Sequence, residues 1–355
     1  MKDYFLHLVR LGLDIPSDME LSSEGIDWHS LQTLAEKQGL LAVALDGIDK
    51  LPASERPQKK DILQWFGSVL QYESQYAAQQ KAACEMASLF QNNAIRTYVL
   101  KGAVVAECYP NPIHRNSVDL DCFLLAENGD FDAWSAGNEL IRAKGFDVRL
   151  DYYKNSTFFL PGLTVENHRY MVPFRGNKKL KMLEVLLQSY MRGDKAEDRI
   201  EGTCLYRPPV MVTALFLIEH AYSHFLHEGL TWRMVLDWML FSHRHREEID
   251  WSSLSAFIDE FGFRKFYDSF VRLGEYLLGN LEASALTDAD RMMLADIWAD
   301  LDLHESVRGI RGKFALVGNT WRARWKYRRF TDMSWMQALW IQGKGVVFER
   351  EPELN

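Results

Sequence analysis

Paired cysteines are missing from this 355-residue chain. Its four, Cys84, Cys108, Cys122 and Cys204, show no Cys-x-x-Cys spacing, so neither a zinc ribbon nor a disulfide framework is expected. Long apolar runs are missing too. The longest, Val210 to Ile218, stops at Glu219, far short of the ~20 residues a membrane span needs. Met1 to Glu20 carries Lys2, Asp3, Arg10 and Asp14 and lacks the apolar centre of a signal peptide. These absences point to a reduced, cytoplasmic protein without transmembrane segments. Low-complexity tracts and internal repeats are also absent, and 47% hydrophobic content excludes intrinsic disorder. An overall basic excess is lacking as well: the net charge is −8, which disfavours a generic nucleic-acid coat.

The charge is unevenly spread. Eight of the 41 lysines and arginines fall between Glu305 and Asp332, where no acid occurs, interleaved with Trp321, Trp325 and Tyr327. A polynucleotide, an anionic lipid surface or an acidic partner would suit this stretch. The simpler expectation is a helix docked on the body by its tryptophans with its charges solvated.

Hydrophobic spacing divides the chain into three parts. Residues 1–93 read as helical: Trp28, Leu31, Leu34 and Ala35 recur at helical intervals, as do Leu63, Phe66, Val69, Leu70 and Tyr72, and Gln71 to Asn92 is rich in helix formers. Residues 94–207 change texture. Thr97 to Leu100 reads as a strand, Ala103 to Cys108 as a short helix ended by Pro110 and Pro112, and Val118 to Leu125 as a second strand. A helix follows at Phe131 to Lys144, then strand-like runs at 146–150, 157–160 and 164–172. Residues 208–355 are helical again, with helices expected at Val210 to Phe225, Thr231 to His243 and Ser252 to Phe261. The expected fold is α+β: a small mixed sheet flanked by an N-terminal helical region and a C-terminal helical domain.

The informative segment runs from Leu100 to Phe123. Asp119 and Asp121 are separated by one apolar residue in a strand, so both carboxylates share a face while Leu120 and Cys122 point away. Two ionised acids side by side repel unless a cation sits between them. Mg²⁺ (or Mn²⁺) is the natural one, being held by one or two carboxylates plus substrate phosphates. Lys101 and Gly102 leave the first strand and open a helix at Ala103, a place where backbone N–H groups can meet a phosphate. Gly102 lets the backbone approach closely. Arg115 either binds a triphosphate or pairs with a carboxylate to fix its loop. A third carboxylate would complete a two-ion site for displacement at phosphorus. Glu166 is the best candidate, mid-strand in Thr164-Val165-Glu166-Asn167-His168, in the run expected to pair near Asp119. His168 would share its face and could bond a phosphate or the incoming nucleophile.

Two features further on have plainer readings. His220, His224 and His227 lie on one helix face and are expected to line a groove or pack in the helical half rather than bind zinc. Arg233 and Asp237 are expected to form an intrahelical ion pair.

The pattern Leu100-Lys101-Gly102-Ala103, Tyr109-Pro110, Pro112, Arg115 and Asp119-Leu120-Asp121 resembles the DNA polymerase β-like nucleotidyltransferase superfamily. More closely it is similar to a bacterial group, the uncharacterised nucleotidyltransferase family. His220, His224 and Thr231 to Asp237 match that family's later helices, and the resemblance spans roughly residues 25–270. It implies Mg²⁺-dependent transfer of a nucleoside monophosphate from an NTP to a hydroxyl. Asp119, Asp121 and Glu166 would be metal ligands and Gly102 the phosphate-loop glycine. Ala103 stands where the superfamily usually has Ser or Gly, which removes one phosphate contact. The expected acceptor is a small molecule or a protein, with nucleic acid less favoured. The alternative is a nucleotidyltransferase-like binding module, a nucleotide sensor or toxin–antitoxin-type partner, that does not turn over.

Overall fold

The computed structural model describes residues 1–16, 21–128, 131–193, 198–299, 323–338 and 340. Four helices come first: α1 (Lys2–Gly12), α2 (Trp28–Lys37), α3 (Leu41–Lys50) and α4 (Lys59–Gln91). Asp27 caps α2 by accepting from His29 and Ser30 N–H at 3.1 and 3.2 Å. The two apolar groups expected around residues 63 and 72 belong to one 33-residue helix, α4. Val69 is buried, whereas Leu63, Phe66 and Leu70 are exposed because no described element covers that side.

Helices α1 and α3 touch backbone to backbone. A Cβ on Gly12 would lie 2.0 Å from Val43 O, and one on Gly47 would lie 2.0 Å from Leu8 O. Neither helix can retreat without opening the core formed by Phe5, Leu8, Val9, Ala44 and Ile48. Gly47→Ala is therefore expected to destabilise the protein by about 1–3 kcal/mol, the usual cost of overpacking. Urea unfolding reads this directly, and an unchanged midpoint would show that the crossing can relax.

The centre is one six-stranded mixed sheet, built from β1 (Ile95–Val99), β2 (Asp119–Ala126), β3 (Val148–Tyr152), β4 (Asn155–Leu160), β5 (Leu163–His168) and β6 (Leu205–Tyr206). The order is β3-β4-β5-β2-β1-β6. β3, β4 and β5 form the expected antiparallel run, but β5 lies parallel to β2 and β6 parallel to β1. Between the strands come α5 (Ala103–Ala106), a 3₁₀ turn at Pro112–His114, α6 (Ala133–Ala143) and α7 (Lys178–Gly193).

The two faces of β2 separate cleanly. Leu120, Cys122 and Leu124 pack with Val165 and with Ala83, Ala87 and Phe90 of α4 in one apolar cluster. The other face, with Asp119, Asp121 and Phe123, turns to the helical body. That body holds α8 (Val210–His227), α9 (Trp232–Arg244), α10 (Trp251–Phe261), α11 (Arg264–Leu278), α12 (Asp288–Ala299) and α13 (Arg324–Phe330). The N-terminal helices join the same core: Phe5, Leu8, Val43, Phe216, Trp232 and Phe270 fall in one cluster. Polar ties reinforce the join. Arg10 Nε donates to Leu277 O at 2.8 Å, and Gln38 Oε1 accepts from Trp232 N–H at 2.8 Å.

Most of the basic stretch lies outside the described residues. Its last part, α13, docks by Tyr327 and Phe330 while Arg324, Arg328 and Arg329 face outward. Lys326 is turned inward, donating to Phe225 O at 2.8 Å beside Asp296. No described helix is long and apolar enough to cross a membrane.

Candidate active site

Parallel pairing of β2 with β5 sets Asp121 opposite Glu166 and Asp119 opposite Thr164. Partners across parallel strands share a face, so Asp119, Asp121 and Glu166 converge on the side away from α4. His168, two residues beyond Glu166, joins them. Its Nε2 is 3.0 Å from Asp121 Oδ1 and 3.6 Å from Glu166 Oε2. The ring's other nitrogen, Nδ1, is 3.2 Å from Tyr170 O.

Lys101 completes the cluster from β1. Leu100 N–H donates to Asp121 O at 3.0 Å, prolonging the β1–β2 ladder, and the next residue steps off the strand beside the acids. Lys101 Nζ is 3.0 Å from Asp121 Oδ2, 3.8 Å from Asp119 Oδ1 and 3.2 Å from His220 Nε2. Gly102 follows with φ +69°, a backbone conformation that favours glycine, and a Cβ there would meet only Ser117 Oγ at 3.5 Å. Ala103 opens α5 behind it. A shallow surface depression lies between this turn and α4, with Gly102, Asp119, Arg115, Tyr76 and Gln79 on its walls.

The charges are strongly coupled. Burial of Asp121 favours its protonated form, but Lys101 and His168 outweigh it and hold the carboxyl well below its usual range. Burial and the Asp121 charge push Asp119 up. Glu166 is held low chiefly by His168. Burial and Lys154 pull His168 down, yet its bonds to Asp121 and Glu166 leave it raised. Burial pulls His220 well down, with Lys101 adding to it, so it is neutral and can accept from the ammonium.

Arg115 takes the carboxylate-pairing role. It is 1% exposed and grips Asp237 of α9 with two bonds, Nε to Oδ1 at 2.9 Å and Nη2 to Oδ2 at 2.8 Å. Tyr109 donates to the same carboxylate at 2.7 Å. Arg115 thus anchors the loop before β2. The expected Arg233–Asp237 pair is correspondingly long, 3.9 Å, because Asp237 is already committed, and Arg233 donates to Asn116 O instead at 3.2 Å. The three helix histidines also part company. His220 enters the site, His224 pairs with Glu228 at 3.0 Å, and His227 Nδ1 lies 2.8 Å from Ser223 O.

Sequence reasoning passed over several residues that shape this site. Lys154, at the β3–β4 turn, is near enough for its charge to act on Glu166, His168, Glu219 and His220. A turn lysine carries no periodic signal that would single it out. Glu184 of α7 accepts Met171 and Val172 N–H at 2.8 and 2.9 Å, which fixes the chain just beyond His168. Gln188 donates to its other oxygen at 2.7 Å.

Burial pushes the Glu184 carboxyl from 4.5 up to about 7, despite those bonds. A carboxyl raised on folding contributes stability below its unfolded value, and that contribution is lost as pH rises through the folded one. Glu184→Gln stays neutral throughout, so its stability relative to the native chain should rise between about pH 5 and pH 8. Urea midpoints at the two pH values measure it, and a pH-independent difference would contradict the assignment.

A small mixed sheet that presents Asp-x-Asp and a third acid beside a lysine–glycine turn is the layout expected of a nucleotidyltransferase. The chain belongs to the uncharacterised nucleotidyltransferase family, whose sequence profile matches residues 24–279. No curated protein and no solved structure matches it.

Proposed function

We propose that this protein transfers a nucleoside monophosphate from an NTP to a hydroxyl of a small-molecule or protein acceptor, with Mg²⁺ or Mn²⁺ as cofactor. The observation that carries this is the β2–β5 register, which brings Asp119, Asp121 and Glu166 onto one face beside Gly102. The donor set fits a divalent cation. Asp121, Glu166 and His168 each offer a ligand atom within 4.8 Å of the others.

The acidic face would hold the ion, which when bound neutralises the triphosphate and polarises the phosphorus under attack. The remaining work falls to the chain. The open backbone at Gly102 receives the phosphates and orients them in line with the acceptor. Arg233 and Lys101 add positive charge next to the acids. The acceptor oxygen bonds to the α-phosphorus, the bond to the β-phosphate oxygen breaks, and pyrophosphate leaves. The hydroxyl proton passes to a carboxylate of the same face. Arg115, bound to Asp237, holds the loop that delivers Asp119.

A second reading, a nucleotide-binding module without turnover, draws support from Ala103 in place of a hydroxyl residue and from an ammonium already seated at the acids. Incubation with each α-labelled NTP and a cell lysate as acceptor source separates the two. Transferase activity predicts label on an acceptor that depends on Asp121, and label that stays in free nucleotide would favour the binding module.

A further inference from the structure

We propose that Lys101 is the site's resident second cation, so that the protein takes one divalent ion, held by Asp121, Glu166 and His168, where a two-ion site would place another between Asp119 and Asp121. The inference rests on the reading of this face as a metal-dependent transfer site.

Two positions flank Asp121, and they differ. On one side Lys101 Nζ stands 3.0 Å from Asp121 Oδ2 and 3.8 Å from Asp119 Oδ1. An ammonium is a compact charge with three donors. The third direction is taken by His220 Nε2 at 3.2 Å. His220 is itself fixed, stacked on Phe216 with ring centroids 5.7 Å apart. The Lys101 side chain is only 12% exposed. Displacing it would strand a buried ammonium and undo three contacts together, a costly rearrangement for a second metal ion to impose.

On the other side the ligand atoms face one another without an intervening lysine. His168 Nε2 lies between Asp121 Oδ1 and Glu166 Oε2, at 3.0 and 3.6 Å. Its Nδ1, 3.2 Å from Tyr170 O, is placed to donate to that carbonyl, which turns Nε2 toward the acids. A metal-bound histidine is usually held in this way, its second nitrogen committed to a backbone carbonyl or a carboxylate. Phe216 covers the ring edge-on, 6.1 Å between centroids. Two carboxylates and an imidazole make a mixed nitrogen–oxygen set, better suited to Mn²⁺ and its first-row neighbours than to Mg²⁺, which prefers oxygen throughout.

The full-length protein is titrated with Mn²⁺ in the absence of nucleotide, with stoichiometry read by calorimetry and ligation by pulsed electron paramagnetic resonance. The expected result is one Mn²⁺ per chain with a nitrogen coupling that disappears in His168→Gln. Lys101→Met, checked for folding by circular dichroism, is expected to take a second ion magnetically coupled to the first. Two ions on the native protein, no bound ion, or a nitrogen coupling that survives His168→Gln would overturn the proposal, and so would a folded Lys101→Met that still takes one. If Lys101→Met does not fold, the native stoichiometry and the His168 signal decide alone. Because nucleotide is absent, the two readings fail separately. One nitrogen-ligated ion on a protein that transfers nothing sinks only the transfer reaction, and two ions on an active enzyme sink only the lysine's role.

Discussion

Asp119→Asn combined with Asp121→Asn should abolish Mg²⁺-dependent NTP binding, lowering the affinity for the Mg·NTP complex by at least ~100-fold. Even residues that only support metal ligands cost 10–100-fold when removed, so loss of two acids from one face should exceed that range. The effect belongs mainly to Asp121, which contacts Lys101 and His168 at 3.0 Å each and is 2% exposed. Asp119, whose side chain is 30% exposed, should contribute less on its own. Calorimetry on a double mutant with native circular dichroism tests this, and unchanged affinity would remove the acids from nucleotide binding altogether.

Arg115→Met should be strongly destabilising, by about 3–5 kcal/mol, because it leaves Asp237 charged and buried with only the Tyr109 bond and the long 3.9 Å contact to Arg233. Typical domains have a total stability of ~5–15 kcal/mol, so the variant would approach the unfolding threshold. The pair spans 122 positions of sequence and ties the loop before β2 to α9. Its loss should loosen Asp119 and Gly102 along with the fold. Pairing Arg115→Met with Asp237→Leu removes the stranded charge and should recover much of the stability. Urea unfolding of the two single mutants and the double measures the coupling. Additive losses would show that the two side chains do not act as a unit.

The local parts of the site were legible because a strand has period two. Asp119 and Asp121 had to share a face, and Leu120 and Cys122 had to turn inward, as they do against α4. Glu166 was reachable for the same reason, as the acid mid-way along a strand. Pairing of its strand near Asp119 was also within reach, but the parallel direction and the register were not, since parallel partners come from distant segments with no turn to set them. The helices from Val210 to Phe261 fell close to expectation because their apolar faces are strong. α7 and β6 were missed: one is amphipathic but highly charged, the other only two residues long.

The run expected to continue as strand to Val172 ends at His168: Arg169 and Tyr170 N–H both turn to Lys154 O, and Glu184 accepts from Met171 and Val172 N–H. Lys101 could be placed at a strand end, but nothing in sequence told a phosphate ligand from an internal counter-ion. That distinction needed the distance to Asp121 and to His220, which is 119 residues away. Arg115 posed the same problem, and only the position of Asp237 resolved it.

A crystal structure with Mn²⁺ and a non-hydrolysable NTP bears most directly on the central claim. The account predicts anomalous density touching Asp121 and Glu166, and a triphosphate running along the turn at Gly102. Nucleotide seated away from that turn, or an acidic face left without metal at saturating Mn²⁺, would contradict it.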